Sequence, residues 1–143
     1  MKYFVATDHA GIEFKTMIIE ILTSKGHEVI NLGPNTADRV DYPDYAKKLC
    51  QEVLDNKNSF GILICGSGIG MSIAANKVPG IRAALANDPY CASMARAHND
   101  ANVMCIGARV VGPGMAESIL DAWLTGEFEG GRHAEHVAKL EFC

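Results

Sequence analysis

Phe60-Gly61-Ile62-Leu63-Ile64-Cys65-Gly66-Ser67-Gly68-Ile69-Gly70 is the stretch that decides the fold of this chain. The run from Phe60 to Ile64 is continuously apolar, as a strand buried on both faces must be. Cys65 to Gly70 reads as a glycine-rich turn, and Met71 to Lys77 as a short helix. A strand, a glycine turn and a helix in that order build a cradle of backbone N–H groups at a positive helix end. Such a cradle binds anions, and also oxygens that become anionic during a reaction. Cys65 stands at its mouth, where a helix N-terminus favours the thiolate. The combination points to chemistry rather than to simple binding.

The same alternation continues on both sides. Lys2 to Thr7 is expected as a strand. Ile12 to Ser24 carries Phe14, Met17, Ile18, Ile21 and Leu22 at helical spacing, with Gly26 placed to stop the helix. Glu28 to Leu32 is a second strand and Gly33 to Asp41 a loop rich in turn formers. Tyr42-Pro43 opens a helix to about Asp55, with Pro at a permitted first-turn position. After the glycine loop come a strand over Ile81–Ala86, a helix over Pro89–Ala97, a strand over Ala101–Ile106 and a helix over Val111–Leu124. The tail holds Gly130-Gly131 and a last helix over Ala134–Leu140. Regular βαβα alternation implies an α/β fold, a parallel sheet covered on both faces. Ligands bind beyond the carboxyl ends of such strands. The rim to inspect is Asp8 to Gly11, Gly33-Pro34, Cys65 to Gly70, Asn87-Asp88 and Gly107 to Arg109.

The chain has 143 residues, of which 48% are hydrophobic and 21% charged, with a net charge of −4. This suits one domain spanning residues 1–143. No basic face is evident, which argues against a nucleic-acid binder. The apolar run Tyr3 to Ala6 is cut off by Asp8 and His9, too soon for a signal peptide or a membrane span, so a cytoplasmic location is expected. Five cysteines, at 50, 65, 91, 105 and 143, are odd in number and have no Cys-x-x-Cys spacing. Neither a disulfide framework nor a zinc site follows from them.

Each candidate motif has an ordinary reading beside its functional one. Gly66-x-Gly68-x-Gly70 lacks the Gly-x-Gly-x-x-Gly spacing of a dinucleotide fingerprint and the Gly-Lys-Ser/Thr of a P-loop. Its ordinary role is a tight packing turn, but three alternate glycines exceed what packing needs, and an oxyanion or phosphate cradle is the better reading. A thiolate at Cys65 can take a proton from carbon while the amides of Gly66 to Gly70 hold the oxygen that gains charge. Ser67 can relay a proton between neighbouring oxygens; otherwise it caps the turn. Asp8-His9 is either an Asx-turn or a pair that holds sugar hydroxyls. His98-Asn99-Asp100 lies between a helix and a strand, at the end of the sheet opposite Cys65. It becomes functional only when a second subunit brings it over the first subunit's site. Arg109, Arg132, His133 and His136 form a late cationic set suited to phosphate. A metal reading of His133 and His136 finds no third ligand.

Together Asp8-His9-Ala10-Gly11, Asp41-Tyr42-Pro43, Cys65 to Gly70, Asn76-Lys77, Arg82-Ala83, His98 to Asn102, Gly107 to Arg109 and Gly130 to His133 resemble the type B ribose-5-phosphate isomerases. That family shares a superfamily with the bacterial galactose-6-phosphate isomerase subunits. The resemblance runs over nearly the whole chain. It implies a three-layer α/β/α sandwich with a five-stranded parallel Rossmann-like sheet. It also implies an aldose–ketose isomerase of the pentose phosphate pathway that uses no metal and no cofactor. Ribose 5-phosphate and ribulose 5-phosphate are then interconverted by ring opening and a cis-enediolate. By the same resemblance Cys65 is the base on carbon and Ser67 moves a proton between O1 and O2. His98 of a partner subunit opens the ring. Asp8, His9, Tyr42 and Asn99 hold hydroxyls, the Gly66, Gly68, Ile69 and Gly70 loop steadies the enediolate, and Arg109 and Arg132 bind phosphate. Met71 stands where cysteine-lacking members carry a glutamate base, so this chain belongs with the cysteine type. His136 stands where many members have a phosphate-binding Arg. The resemblance also implies a homodimer or homotetramer with sites at the subunit interface and the C-terminal helix packed on the partner. Isomerisation of a six-carbon phosphate (allose 6-phosphate or galactose 6-phosphate) is the alternative. A non-enzymatic nucleotide- or phosphate-binding module is a third reading, which accounts for the cradle but not for Cys65, His98 and the late arginines together.

Overall fold

The computed structural model describes residues 1–141, so Cys143 lies outside the described residues. Five strands pair in parallel in the order β2-β1-β3-β5-β4. They are β1 (Lys2–Thr7), β2 (Glu28–Gly33), β3 (Ser59–Cys65), β4 (Ala83–Leu85) and β5 (Val103–Gly107). The helices are α1 (Ile12–Ser24), α2 (Tyr42–Asp55), α3 (Ile69–Asn76), α4 (Pro89–Ala97), α5 (Pro113–Leu124) and α6 (Arg132–Leu140).

Strand side chains alternate between two apolar layers. Tyr3, Val5, Ile62, Ile64, Met104 and Ile106 face a core completed by α1, α4 and α5. Phe4, Ala6, Leu63, Cys65, Val103 and Cys105 face the other side, where α2 and α3 contribute Leu49, Cys50, Met71 and Ala75. The expected α/β/α layering is therefore observed, and the continuous apolar run of β3 reflects burial on both faces. In the first core Trp123 donates from Nε1 to the Tyr3 hydroxyl at 3.1 Å, and the Arg96 guanidinium lies 4.5 Å from the centroid of the Phe60 ring.

Boundaries moved where backbone hydrogen bonds found other partners. β4 is shorter than the expected Ile81–Ala86 because Ile81 N–H closes a turn on Val78 O. β5 begins at Val103, not Ala101, because Ala101 N–H satisfies Ala95 O at the end of α4. β3 runs on to include Cys65, and α3 starts at Ile69 rather than Met71. Gly68, at φ 82°, turns the chain directly into that helix. α6 begins at Arg132, right after Gly130 and Gly131 at φ 69° and 56°, and contributes no buried residue.

Three residues within the quoted motifs brace β4. Asn76 Nδ2 donates to Ala83 O and its Oδ1 accepts from Ala83 N. Asn102 Oδ1 accepts from Arg82 N. The Arg82 guanidinium ties Asn99 O and Asp100 O and pairs with Glu141 at 2.9 Å.

Candidate active site

The chain order splits at β1, with β2 on one side and β3 on the other. Loops leaving β1 and β3 thus part from each other and open a crevice. Thr7 pairs with Ile64, so Asp8 and Cys65 leave neighbouring strand ends side by side. The Asp8 amide still donates to Ile64 O at 3.1 Å. On the far side of β3, Cys65 pairs with Gly107. The turn after β5 then hydrogen-bonds along the glycine loop, Ala108 N to Cys65 O at 2.8 Å and Arg109 N to Gly66 O at 3.0 Å.

The cradle is the first turn of α3 itself. The first four N–H groups of a helix have no partner within it. Gly68 N donates to the Cys65 sulfur at 3.2 Å, and Ile69 N donates to Ser67 Oγ at 3.2 Å. Of the remaining first-turn residues, Gly70 lines the hollow and Met71 is buried in the core. Ser67 accepts with its oxygen and keeps its own O–H free to donate. The turn cannot loosen: a Cβ on Gly68 would lie 2.6 Å from Leu85 Cδ1, and one on Gly107 would lie 2.6 Å from Ser67 O. Asn87, a rim residue left out of the candidate site, locks the same place. Its Oδ1 accepts from Gly107 N at 2.9 Å and its Nδ2 donates to Ser67 O at 3.3 Å.

An open hollow of about 470 Å³ is lined by Asp8, Tyr42, Cys65, Ser67, Gly70 and Arg109, among others. Cys65 is 6% exposed, so its sulfur reaches the hollow from the floor. The Tyr42 ring covers Gly70, with Cε1 only 2.7 Å from where a Cβ would stand. The Arg109 side chain lies along Gly66. Asp8 spends one oxygen on an Asx-turn, accepting from Ala10 N at 2.8 Å. Asp8 thus forms the Asx-turn and also lines the hollow.

Two further thiols, Cys50 and Cys105, lie sealed in the core. Burial pushes Cys50 up to about 12. Cys105 is raised well above the usual thiol range by burial, and further by Cys50 and Cys65. Both are inert core side chains.

Lys15 is a residue the sequence reading passed over. It is 2% exposed, and its Nζ donates to Asn31 Oδ1 at 2.8 Å, Pro34 O at 2.6 Å and Asn35 Oδ1 at 2.9 Å. Burial lowers its pKa. It anchors the start of the loop that leads to Asp41 and Tyr42. The signal was present: Lys15, Ile18 and Leu22 recur at i, i+3 and i+7 and are the buried residues of α1.

Other candidate residues stand elsewhere within this one chain. His9 opens on an adjoining hollow with Ala37 and Ala108. His98, Asn99, Arg132 and His136 do not reach the Cys65 hollow. α4 returns antiparallel to its strand, so its C-terminal end, with His98 and Asn99, lies at the opposite edge of the sheet. α6 begins beside it: the His98 and His133 rings stack at 4.1 Å between centroids. Burial, followed by His98 and Arg132, lowers the pKa of His133. The third donor missing for a metal is supplied by Glu129, and the partner of His133 is His98 rather than His136.

The ribose/galactose isomerase family matches residues 3–140. Ribose-5-phosphate isomerase B of Escherichia coli is 48% identical over 133 residues, covering 93% of this chain and 89% of that protein. The structure of Clostridium thermocellum ribose-5-phosphate isomerase B superposes with a TM-score of 0.96 at 48% identity, over 99% of this chain and 95% of the other. That of the Mycoplasma genitalium enzyme with bound ribulose-5-phosphate gives 0.93 at 42% identity, over 97% and 93%. With its thiol, amide cradle and strand-end crevice in one place, this chain belongs to the ribose/galactose isomerase family.

Proposed function

We propose that the chain is an aldose–ketose isomerase that interconverts D-ribose 5-phosphate and D-ribulose 5-phosphate as one domain. The observation that carries this is the Cys65 sulfur at the mouth of the α3 amides, in a hollow shared with Asp8, Tyr42 and Ser67. In the open-chain aldose the Cys65 thiolate takes the proton on C2. The C–H electron pair becomes the C1–C2 double bond and the carbonyl pair moves onto O1. Amides of the Gly66 to Gly70 loop steady that developing charge, which is often the largest single contribution to such catalysis. Ser67 passes the O2 proton to O1; the O2 electron pair then forms the C2 carbonyl, and the C1–C2 double-bond pair takes the proton back from the Cys65 thiol at C1. Asp8, His9 and Tyr42 hold hydroxyls. Arg109 contacts phosphate.

His98 and Asn99 reach this chemistry from a partner subunit, with His98 opening the ring. Arg132 adds a phosphate contact there, and His136 stands beside it on α6. Supporting a homodimer or larger homo-oligomer, Ile69, Ile73, Leu85 and Tyr90 are exposed along α3, the edge strand β4 and α4. The C-terminal helix α6, with no buried residue, packs on that partner. The described cysteines are all free, which suits the cytoplasm. No helix among the described residues is long and apolar enough to cross a membrane.

A six-carbon sugar phosphate is the second reading, favoured by a family that spans ribose and galactose isomerases. The test is turnover of ribose 5-phosphate, allose 6-phosphate and galactose 6-phosphate by this chain alone, with a chelator present. Ribose 5-phosphate turned over best supports the proposal. Preference for a six-carbon phosphate moves the assignment, and loss of all turnover restored only by a divalent ion removes the metal-free mechanism.

A further inference from the structure

At the edge of the sheet opposite Cys65, three donors converge from three separate elements. His98 is the C-cap of α4. Glu129 lies in the loop after α5, its amide donating to Ala97 O at 3.0 Å. His133 is in the first turn of α6, its amide donating to Gly130 O at 3.0 Å. One backbone hydrogen bond thus fastens the loop to α4, and the positive-φ pair Gly130-Gly131 folds α6 back so that His133 reaches His98.

The donors face one another without satisfying one another. Glu129 Oε1 is 3.7 Å from His98 Nε2 and 3.7 Å from His133 Nε2. Both distances exceed those of a hydrogen bond. All three donor atoms lie within 4.8 Å of one another. Around a tetrahedral zinc at ~2.0–2.1 Å, neighbouring nitrogen and oxygen donors stand about 3.3 Å apart. The two Glu129 contacts shorten by about 0.4 Å, and the two imidazoles turn out of their near-parallel stack, for the set to close. The negative end of α4 beside His98 adds a field that favours a cation. Two imidazoles and a carboxylate with a fourth position open are a ligand set suited to zinc.

We propose that His98, Glu129 and His133 form a binding site for a divalent transition metal, zinc by preference, and that its occupancy withdraws His98 from sugar chemistry. The binding rests on the three donors alone; the inhibition rests on the proposed function, in which His98 opens the ring. The site is thus an inhibitory one, apart from the same chain's Cys65 and not required for turnover.

The probe is Co²⁺, titrated into chelator-treated, dialysed protein and followed by the visible bands of tetrahedral cobalt. One Co²⁺ per chain, displaced by Zn²⁺, is expected. Affinity falls at least ~10-fold in Glu129→Ala and in His133→Ala, and is unchanged in Cys65→Ala. Glu129 is exposed, so the first variant keeps the wild-type far-UV circular dichroism. No cobalt bands in the wild type, or bands undiminished in both ligand variants, overturn the site. In the isomerase assay Zn²⁺ inhibits reversibly, and Glu129→Ala needs at least ~10-fold more for the same fractional loss of its own metal-free rate. Equal inhibition of wild type and Glu129→Ala places the zinc on a thiol and overturns the inhibitory role. Should the metal-free enzyme show no isomerase activity, the functional reading fails while the cobalt titration still judges the site.

Discussion

The Gly68 amide points at the Cys65 sulfur from 3.2 Å. Its partners come from opposite ends of one four-residue turn, so the contact closes the glycine loop on itself and aims the sulfur along the floor of the hollow. The sulfur is buried on the α2/α3 face of the sheet, yet it is held toward main-chain donors rather than sealed in hydrocarbon.

Removing that sulfur separates chemistry from folding. Cys65→Ala is expected to lower kcat about 10²- to 10⁴-fold, the range for loss of a general base. Substrate affinity should change little, and thermal unfolding should stay close to wild type. Steady-state kinetics beside a melting curve checks both; a variant with wild-type kcat rejects Cys65 as the base.

Gly68→Ala tests the turn. At φ 82° an L side chain costs about 1–3 kcal/mol in backbone strain alone. The added methyl also meets Leu85 Cδ1 at 2.6 Å and the Ile106 carbonyl carbon at 3.0 Å. Denaturant unfolding should show a clear loss of stability, with turnover lost in whatever folds.

Lys15→Met keeps the length of the side chain and deletes its three hydrogen bonds. Asn31 Oδ1, Pro34 O and Asn35 Oδ1 each lose a charged donor, a hydrogen bond of about 1.5–3 kcal/mol, although Asn31 Oδ1 keeps Gly33 N and Asn35 Oδ1 keeps Asn31 Nδ2. The loop to Tyr42 loosens while Cys65 and Ser67 stay in place. KM should therefore rise more than kcat falls. The reverse split would make Lys15 a contributor to the chemistry itself.

Mixing two inactive variants tests whether the site is shared. In a heterodimer of Cys65→Ala with His98→Ala, one site has lost both groups and the other has both intact. Random re-association gives half heterodimers, so about a quarter of the sites recover. A site built within one chain recovers none.

Alkaline pH should unfold the protein through Tyr3. Burial pushes its phenol up to about 12, against smaller downward pulls from Trp123 and Arg96. Above pH 10 the unfolded chain gives up this proton while the folded one retains it. Stability is therefore whole below pH 10 and is lost as pH rises from 10 to 12, by up to about 3 kcal/mol. Tyr3→Phe should flatten that slope in denaturant titrations at pH 9 to 12, at the cost of leaving Trp123 Nε1 without its acceptor.

Local signals were legible wherever a short-range rule acts on neighbouring residues. The β3–turn–α3 unit, the Pro starts of α2 and α4 and the Asx-turn of Asp8 all follow from residues a few positions apart. The starts of β4 and β5 moved because turn hydrogen bonds, Ile81 N to Val78 O and Ala101 N to Ala95 O, took those amides out of the strands. Lys15 was missed because its partners Asn31, Pro34 and Asn35 lie 16 to 20 residues away, although its spacing put it on the buried face. Asn87 was seen on the rim but not as a brace, because its partners Ser67 and Gly107 are each 20 residues away.

Periodicity and glycine placement alone determined that this is a parallel α/β sheet with a thiol at the head of an amide-lined turn. Those properties depend on backbone conformation and side-chain alternation, which a linear string carries. Tertiary structure alone decided that Asp8 and Cys65 stand side by side, that Arg109 joins them, and that His98 meets Glu129 and His133 at the other edge. Strand order and helix return bring together groups tens of residues apart, and no spacing in the chain records which strand ends become neighbours.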